Sequence, residues 1–216
     1  MQIPTRRAGL IHSSSLSLPR SSFPRWREVA EEARSYLASA EAPMLLNAWL
    51  AGGGDDRPPA RARLAPEAMP RILADVWLMD YLPEQARLRY RLVGENIRDR
   101  YDVSLTGQYL DETLAPEARE TVLGYFLACV ERPAICLVVG RLYHEWKRPS
   151  YGERLLLPLL NDDGLAEGLV GITICKQTFP NRWEAEKRAK RITCILPLDG
   201  SPPTEKEGVV PVLFWN

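Results

Sequence analysis

The stretch Arg87–Glu112, RLRYRLVGENIRDRYDVSLTGQYLDE, decides which fold the rest of the chain has to complete. Its first seven residues alternate arginines with apolar Leu88, Tyr90 and Leu92, which predicts a half-buried antiparallel strand with one cationic face. A short helical segment and a tight turn at Thr106–Gly107 follow. No recognisable catalytic group lies in this stretch, and that favours a sensing or binding module.

The flanking sequence predicts further helices and strands from its apolar periodicity. We expect helices at Trp26–Ser39, Met44–Leu50, Ala65–Leu73 and Pro116–Glu131. We expect strands at Asp75–Leu82, Ile135–Trp146, Tyr151–Leu160 and Gly168–Lys176. The short link Asn161–Gly164 favours a hairpin, so the last strands should form an antiparallel meander. Pro158 lacks an N–H donor and should lie at a bulge or at a sheet edge.

The two ends of the chain differ from this central part. Residues 1–25 are rich in arginine and serine, which indicates a disordered tail or an organelle transit peptide; the prolines favour the tail. Toward the other end, Trp183–Arg191 predicts a solvated helix and Ile192–Leu198 one further strand. The hydrophobic segment Gly208–Asn216 should dock on this domain or on a second copy of the chain.

Composition limits the classes of partner. The chain has 216 residues, with 28 basic and 28 acidic side chains, so it has no general attraction to nucleic acid or to anionic lipid. No apolar run reaches the roughly 18–20 residues that span a bilayer, so we expect a soluble, cytoplasmic protein. The four cysteines stand in apolar surroundings and should be reduced and buried, although two disulfides are the alternative.

The element order, together with the phrases YRLVGENI, YDVSLTGQYLDE and ERLLLPLLNDDG, resembles the Per-Arnt-Sim (PAS) fold. More narrowly, it is similar to the small stand-alone PAS-like proteins common in alphaproteobacteria, over about Leu64–Lys176. The resemblance implies an α+β domain with a five-stranded antiparallel sheet and helices on one face. It also implies a bacterial sensory or signal-transduction role through a small ligand or a partner. The expected division is a tail (1–25), N-terminal helices and a linker (26–63), the PAS-like domain (64–176) and a C-terminal extension (177–216).

Catalytic motifs are scarce. The sequence has two histidines, and it lacks CxxC, HExxH, GxSxG and phosphate-loop patterns. His144 could serve a small hydrolase or isomerase, or ligate haem, but it fits an exposed strand end better. The adjacent carboxylates Asp111 and Glu112 suit a helix cap or a turn. We therefore expect a non-enzymatic protein with no metal and no defined cofactor.

A ligand pocket is the remaining candidate site. Aromatic and aliphatic residues of the predicted strands and helices either line a cavity between sheet and helices or fill the core. These candidates are Tyr90, Leu92, Ile97, Tyr101, Tyr109, Tyr125 and Phe126. Arg98 and Arg100 either clamp an anionic ligand or are solvated. The alternative to a ligand sensor is a protein-interaction scaffold with a filled core. A homodimer through the leading helix or the hydrophobic tail is the expected assembly.

Overall fold

The computed structural model describes residues 22–101, 104–142, 150–178 and 190–209. Its helices are α1 (Trp26–Arg34), α2 (Ala42–Gly52), α3 (Glu95–Arg98), α4 (Leu110–Thr113) and α5 (Pro116–Glu131). Its strands are β1 (Val76–Leu82), β2 (Arg87–Val93), β3 (Ala134–Arg141), β4 (Ser150–Leu160), β5 (Ala166–Thr178), β6 (Lys190–Pro197) and β7 (Thr204–Val209). Short 3-10 helices connect α2 to β1 and β1 to β2.

All described strands join one antiparallel sheet in the order β2-β1-β5-β4-β3-β6-β7. The sheet therefore has seven strands in the described chain, two more than the five-stranded sheet that the resemblance implied. The expected strand at Ile192–Leu198 is confirmed as β6, which pairs with β3 and extends the sheet. The polar strand β7 was not predicted, because TEKEGV shows no apolar alternation.

Helices cover both faces of the sheet, whereas the resemblance implied helices on one face. On the first face, α5 packs against the sheet together with α3 and α4. On the second face, α1 and α2 share a core with the apolar residues of β3, β4 and β5. Trp26 and Trp49 meet edge to face there, with ring centroids 5.0 Å apart. The apolar stripe of α1 is thus buried within its own chain, so a second copy would need another surface.

Strand β4 shows why both faces are covered. Its run RLLLPLL places Leu155 and Leu157 in the core under α1 and α2, while Leu156 lies in the core under α5. Pro158 lies beyond Leu156, where pairing with β3 ends, so it occupies a local sheet edge as predicted. The indole N–H of Trp49 donates to the Pro158 carbonyl at 2.8 Å, so this carbonyl has a hydrogen-bond partner at the local edge.

Several predicted boundaries need correction. Helix α1 ends at Arg34 rather than Ser39, and the Ser35 hydroxyl donates to the Glu32 carbonyl at this end. The helix expected at Ala65–Leu73 is two 3-10 helices, Pro66–Ala68 and Pro70–Asp75, because Pro70 has no N–H to continue a helix. Lys190 and Arg191 begin β6 instead of ending a helix, and the rest of that predicted helix lies outside the described residues.

Leu92 is the clearest error on the strand that opened the sequence analysis. Its side chain is 48% exposed instead of buried beside Leu88 and Tyr90. The pairing of β1 with β2 shifts between Leu78 and Met79, which leaves Arg91 as an extra residue on β2. Such a bulge exchanges the two faces of the strand, so Leu92 points away from α5.

Other predictions agree with the structure. Helix α5 has the predicted bounds, and Asn161–Gly164 forms the hairpin turn between β4 and β5. In that turn the Asn161 side-chain oxygen accepts from the backbone N–H groups of Asp163 and Leu165, both at 3.0 Å. The four cysteines are free thiols; Cys129, Cys136 and Cys194 are buried and Cys175 is half-buried. Within the part of the chain that the structure describes, no helix is long and apolar enough to cross a bilayer.

Candidate functional site

A partly enclosed cavity of about 110 Å³ lies between the first face of the sheet and helix α5. Its wall combines aliphatic side chains with a few polar ones. The lining residues are Tyr90, Tyr101, Leu110, Thr113, Leu114, Ala115, Ala118, Val122, Leu142 and Arg154. Strand β2 supplies Tyr90, the start of α5 supplies Ala118 and Val122, and the central strand β4 supplies Arg154.

Arg154 is a charged side chain in the interior. It directly precedes the buried leucines of β4 and is 8% exposed, because strand alternation directs it toward α5. Its Nε donates to Thr173 Oγ1 at 3.1 Å, across the β4–β5 pair, and its Nη1 donates to the Tyr125 hydroxyl at 2.9 Å. These bonds fix the guanidinium between the sheet and α5, at the cavity wall.

A second buried arginine lies behind this pair. Arg191 on β6 is 6% exposed, and its guanidinium carbon is 5.9 Å from the ring centroid of Tyr125. Burial lowers the pKa of Arg191, as expected for a cation that water solvates poorly. Burial also raises the pKa of the Tyr125 hydroxyl, although Arg154 and Arg191 oppose that rise. The phenol therefore stays protonated at neutral pH beside two cations.

Residues 38–174, more than half of the chain, match the family described as the PAS domain. The chain belongs to the PAS domain family. No curated protein and no solved structure matches the chain. PAS domains serve in sensing or in protein interaction. Which residues of this PAS domain could take part in either role depends on the geometry of the cavity and its surroundings.

The sequence-based candidates separate into three groups in this PAS domain. Tyr90 and Tyr101 line the cavity. Ile97, Tyr125 and Phe126 are buried in the same core, and Phe126 stacks at a tilt on Trp77 with centroids 5.3 Å apart. Leu92 and Tyr109 are outside the cavity lining.

Tyr109 belongs to a different cluster on the outer side of β2. The Arg87 guanidinium lies 3.6 Å from its ring centroid and also donates to Asp111 and Glu112. Helix α4 thereby directs both adjacent carboxylates to one arginine, and these hydrogen bonds raise the pKa of Arg87. Arg98 is exposed and pairs with Glu95 at 3.4 Å, as expected for a solvated side chain.

Sequence reasoning missed Arg154, the most unusual residue of the cavity. A signal was present, since ERLLLPLL places two charged residues directly beside a continuous apolar run in a central strand. Both are buried, and they point to opposite faces. Glu153 accepts from the N–H groups of Ala38 and Ser39 at 2.8 and 2.7 Å, while Arg154 faces the cavity.

The other reactive side chains of the described residues do not form a recognisable metal site or a reactive thiol site. No group of three or more histidines, cysteines or carboxylates is placed there to hold a metal ion. Burial raises the pKa of Cys136 well above its ordinary value and that of Cys194 to about 11, so both thiols stay protonated. His144, the basis of the enzyme alternative, lies outside the described residues.

Two larger depressions occur on the described surface. One, of about 370 Å³, lies beside the Asp56–Arg63 segment and the turn at Asp162. Its polar groups are engaged with one another, since Arg57 pairs with Asp56 and donates to the Asp162 carbonyl. The other, of about 300 Å³, lies between α1 and the proline-rich segment before β7. Neither contains a buried charge, so the smaller cavity is the better candidate.

Proposed function

We propose that this chain is a non-enzymatic sensory PAS domain that binds a small molecule in the cavity beside α5 and passes the signal on by association. The observation that carries the proposal is the cavity itself, a partly enclosed space between sheet and helix whose wall includes the buried Arg154. It lies between the sheet and the start of α5, so an occupant would contact both layers. A ligand acts only by binding two arrangements of the protein unequally, and a site between layers meets that condition.

The cytoplasmic location and the homodimer remain part of this proposal. Because the apolar stripe of α1 is buried within its own chain, we propose that a second copy binds through the hydrophobic segment that follows Gly208. Most of that segment lies outside the described residues. The competing function is that of a protein-interaction scaffold with a filled core. A sensor would bind a small molecule in the cavity, whereas a scaffold would not.

Mass spectrometry of gently purified full-length protein tests this function. We expect a stoichiometric small molecule to accompany the wild type and to be lost from Ala118→Leu, because the larger side chain fills the cavity. The matched control is Ala33→Leu, at a fully buried alanine of α1 on the opposite face of the sheet. It should retain the small molecule. A wild-type protein that carries nothing and binds nothing from a broad metabolite set would support the scaffold instead.

The two variants also test whether the space exists. Adding methylenes to a packed core costs about 1–3 kcal/mol. We expect that cost for Ala33→Leu and a smaller one for Ala118→Leu, measured by urea unfolding.

A further inference from the structure

The walls of the cavity differ in polarity from one side to the other. Leu110, Leu114 and Val122 supply an aliphatic wall. Among the described lining residues, the charged side chain is Arg154, which is anchored by Tyr125 and Thr173. A cavity of this kind suits a molecule with a short apolar part and one anionic end.

Electrostatics favour an anion over a neutral polar group. A guanidinium stays protonated in proteins, so Arg154 keeps its charge despite burial. Arg191 adds a second buried cation beyond Tyr125, with its guanidinium carbon 5.9 Å from the tyrosine ring centroid. Charges in a poorly solvated site interact more strongly than in water, so both cations attract a negative group in the cavity.

We propose that the cavity binds a small monocarboxylic acid, with its carboxylate at Arg154 and its aliphatic tail against Leu110, Leu114 and Val122. This inference rests on the function proposed above, because it names the ligand class for the same cavity. The planar guanidinium matches a carboxylate in geometry. The volume of about 110 Å³ is well below that of a drug-sized site, roughly 300–1,000 Å³, so the tail has to be short.

Isothermal titration calorimetry of the full chain with straight-chain acids tests the inference. The probes are acetate, butyrate and octanoate at neutral pH, with butyramide as a neutral molecule of nearly the same shape. Butyrate should bind at least about tenfold more tightly than butyramide, because the carboxylate gains a charge-assisted hydrogen bond. Acetate should bind more weakly than butyrate for lack of apolar contact, and octanoate more weakly for lack of room.

Arg154→Met gives an independent readout. It should abolish the preference for butyrate over butyramide, whereas Arg98→Met, the same change at an exposed arginine outside the cavity lining, should keep it. If Arg154→Met does not fold, the wild-type comparison of acid with amide still decides the question.

The outcomes separate this inference from the function on which it rests. Equal binding of butyrate and butyramide, or a neutral co-purified molecule, would overturn the carboxylate while leaving a ligand-binding PAS domain. No binding of any probe, together with an empty purified protein, would overturn both. Preferential binding of butyrate that survives in Arg154→Met would place the anion elsewhere and overturn the inference as well.

Discussion

At the scale of single residues, the Thr173 hydroxyl connects three elements of the first face. It accepts from Arg154 Nε on β4 and from the Trp77 indole on β1, at 3.1 and 3.0 Å. Arg154 continues the network to Tyr125 on α5. The buried arginine is therefore held by polar partners on two elements, and its position at the cavity wall depends on the close fit of Trp77 to the sheet.

Gly171 tests that fit. A side chain there would overlap the ring of Trp77, its cross-strand partner on β1. We expect Gly171→Ala to lower the free energy of unfolding by about 1–3 kcal/mol, as measured in urea. Gly124→Ala, at an exposed position of α5 with open space around it, is the control and should raise stability by about 0.5–1 kcal/mol. Equal effects of the two changes would contradict the described packing.

Asp199 gives a pH-dependent prediction. Hydrogen bonds from Ser201 and Arg132 lower the pKa of its carboxyl to about 2 in the folded protein. A lowered folded-state pKa means that the contribution is complete above the unfolded value of about 3.9 and is lost as pH falls toward 2. The pair is largely exposed, so we expect Asp199→Asn to cost less than about 1 kcal/mol at pH 7.

The measurement is urea unfolding of wild type and Asp199→Asn between pH 7 and pH 2.5. The difference between them should shrink below about pH 4. Asp55→Asn, which removes an exposed carboxylate from the loop after α2, is the control. A difference that grew on acidification would show that the pKa is not lowered.

At the scale of elements, the turn between α1 and α2 is fixed to the sheet by one buried carboxylate. Glu153 on β4 is 1% exposed and accepts from the N–H groups of Ala38 and Ser39. The Ser39 hydroxyl in turn accepts from the N–H of Ala42, the first residue of α2, at 3.1 Å. This connection positions both N-terminal helices over the second face.

Glu153→Gln should loosen that connection, because an amide offers one acceptor oxygen where the carboxylate offers two. We expect a loss of about 1–3 kcal/mol in the free energy of unfolding. Amide hydrogen exchange at Ala38 and Ser39 should accelerate more than exchange in β4. Glu84→Gln, in an exposed turn, is the control and should change neither quantity. Unchanged exchange at Ala38 in Glu153→Gln would contradict the anchoring role.

Most elements of the sheet were predictable from sequence, because alternation and turn residues are local signals. Strands β1, β2, β4 and β5 and helix α5 lie within a few residues of their expected bounds. The bulge at Arg91 was not predictable, since it depends on how β2 pairs with β1. Strand β7 was missed for a similar reason, because its pairing with β6 organises a polar segment.

At the scale of the whole molecule, one sheet separates two cores with different roles. The core under α1 and α2 consists mainly of apolar side chains, and the buried Glu153 is anchored there by backbone N–H groups, which suits a structural layer. The core under α5 contains the cavity and two buried arginines. The PAS match, residues 38–174, spans α2 and strands β1 to β4 and most of β5, while β6 and β7 follow it. Strand β6 nevertheless contributes Arg191 to the neighbourhood of the cavity.

The candidate site was predicted in part. Tyr90 and Tyr101 were found because aromatic residues at strand and helix positions are a composition signal for either core or cavity. Arg154 was not found, because the position of a charge relative to a cavity depends on the packing of α5 on β4. Whether aromatic residues line or fill a space is likewise a property of the assembled layers.

The central claim is that a small molecule enters the cavity between the sheet and α5 beside Arg154. An NMR titration of the full chain with butyrate, which follows backbone amides, side-chain methyls and the Arg154 Nε–H, tests it most directly. The account predicts saturable shifts concentrated at Leu110, Leu114, Val122, Leu142 and Arg154. Saturable shifts confined to other surfaces, or none at saturating butyrate and butyramide, would contradict it.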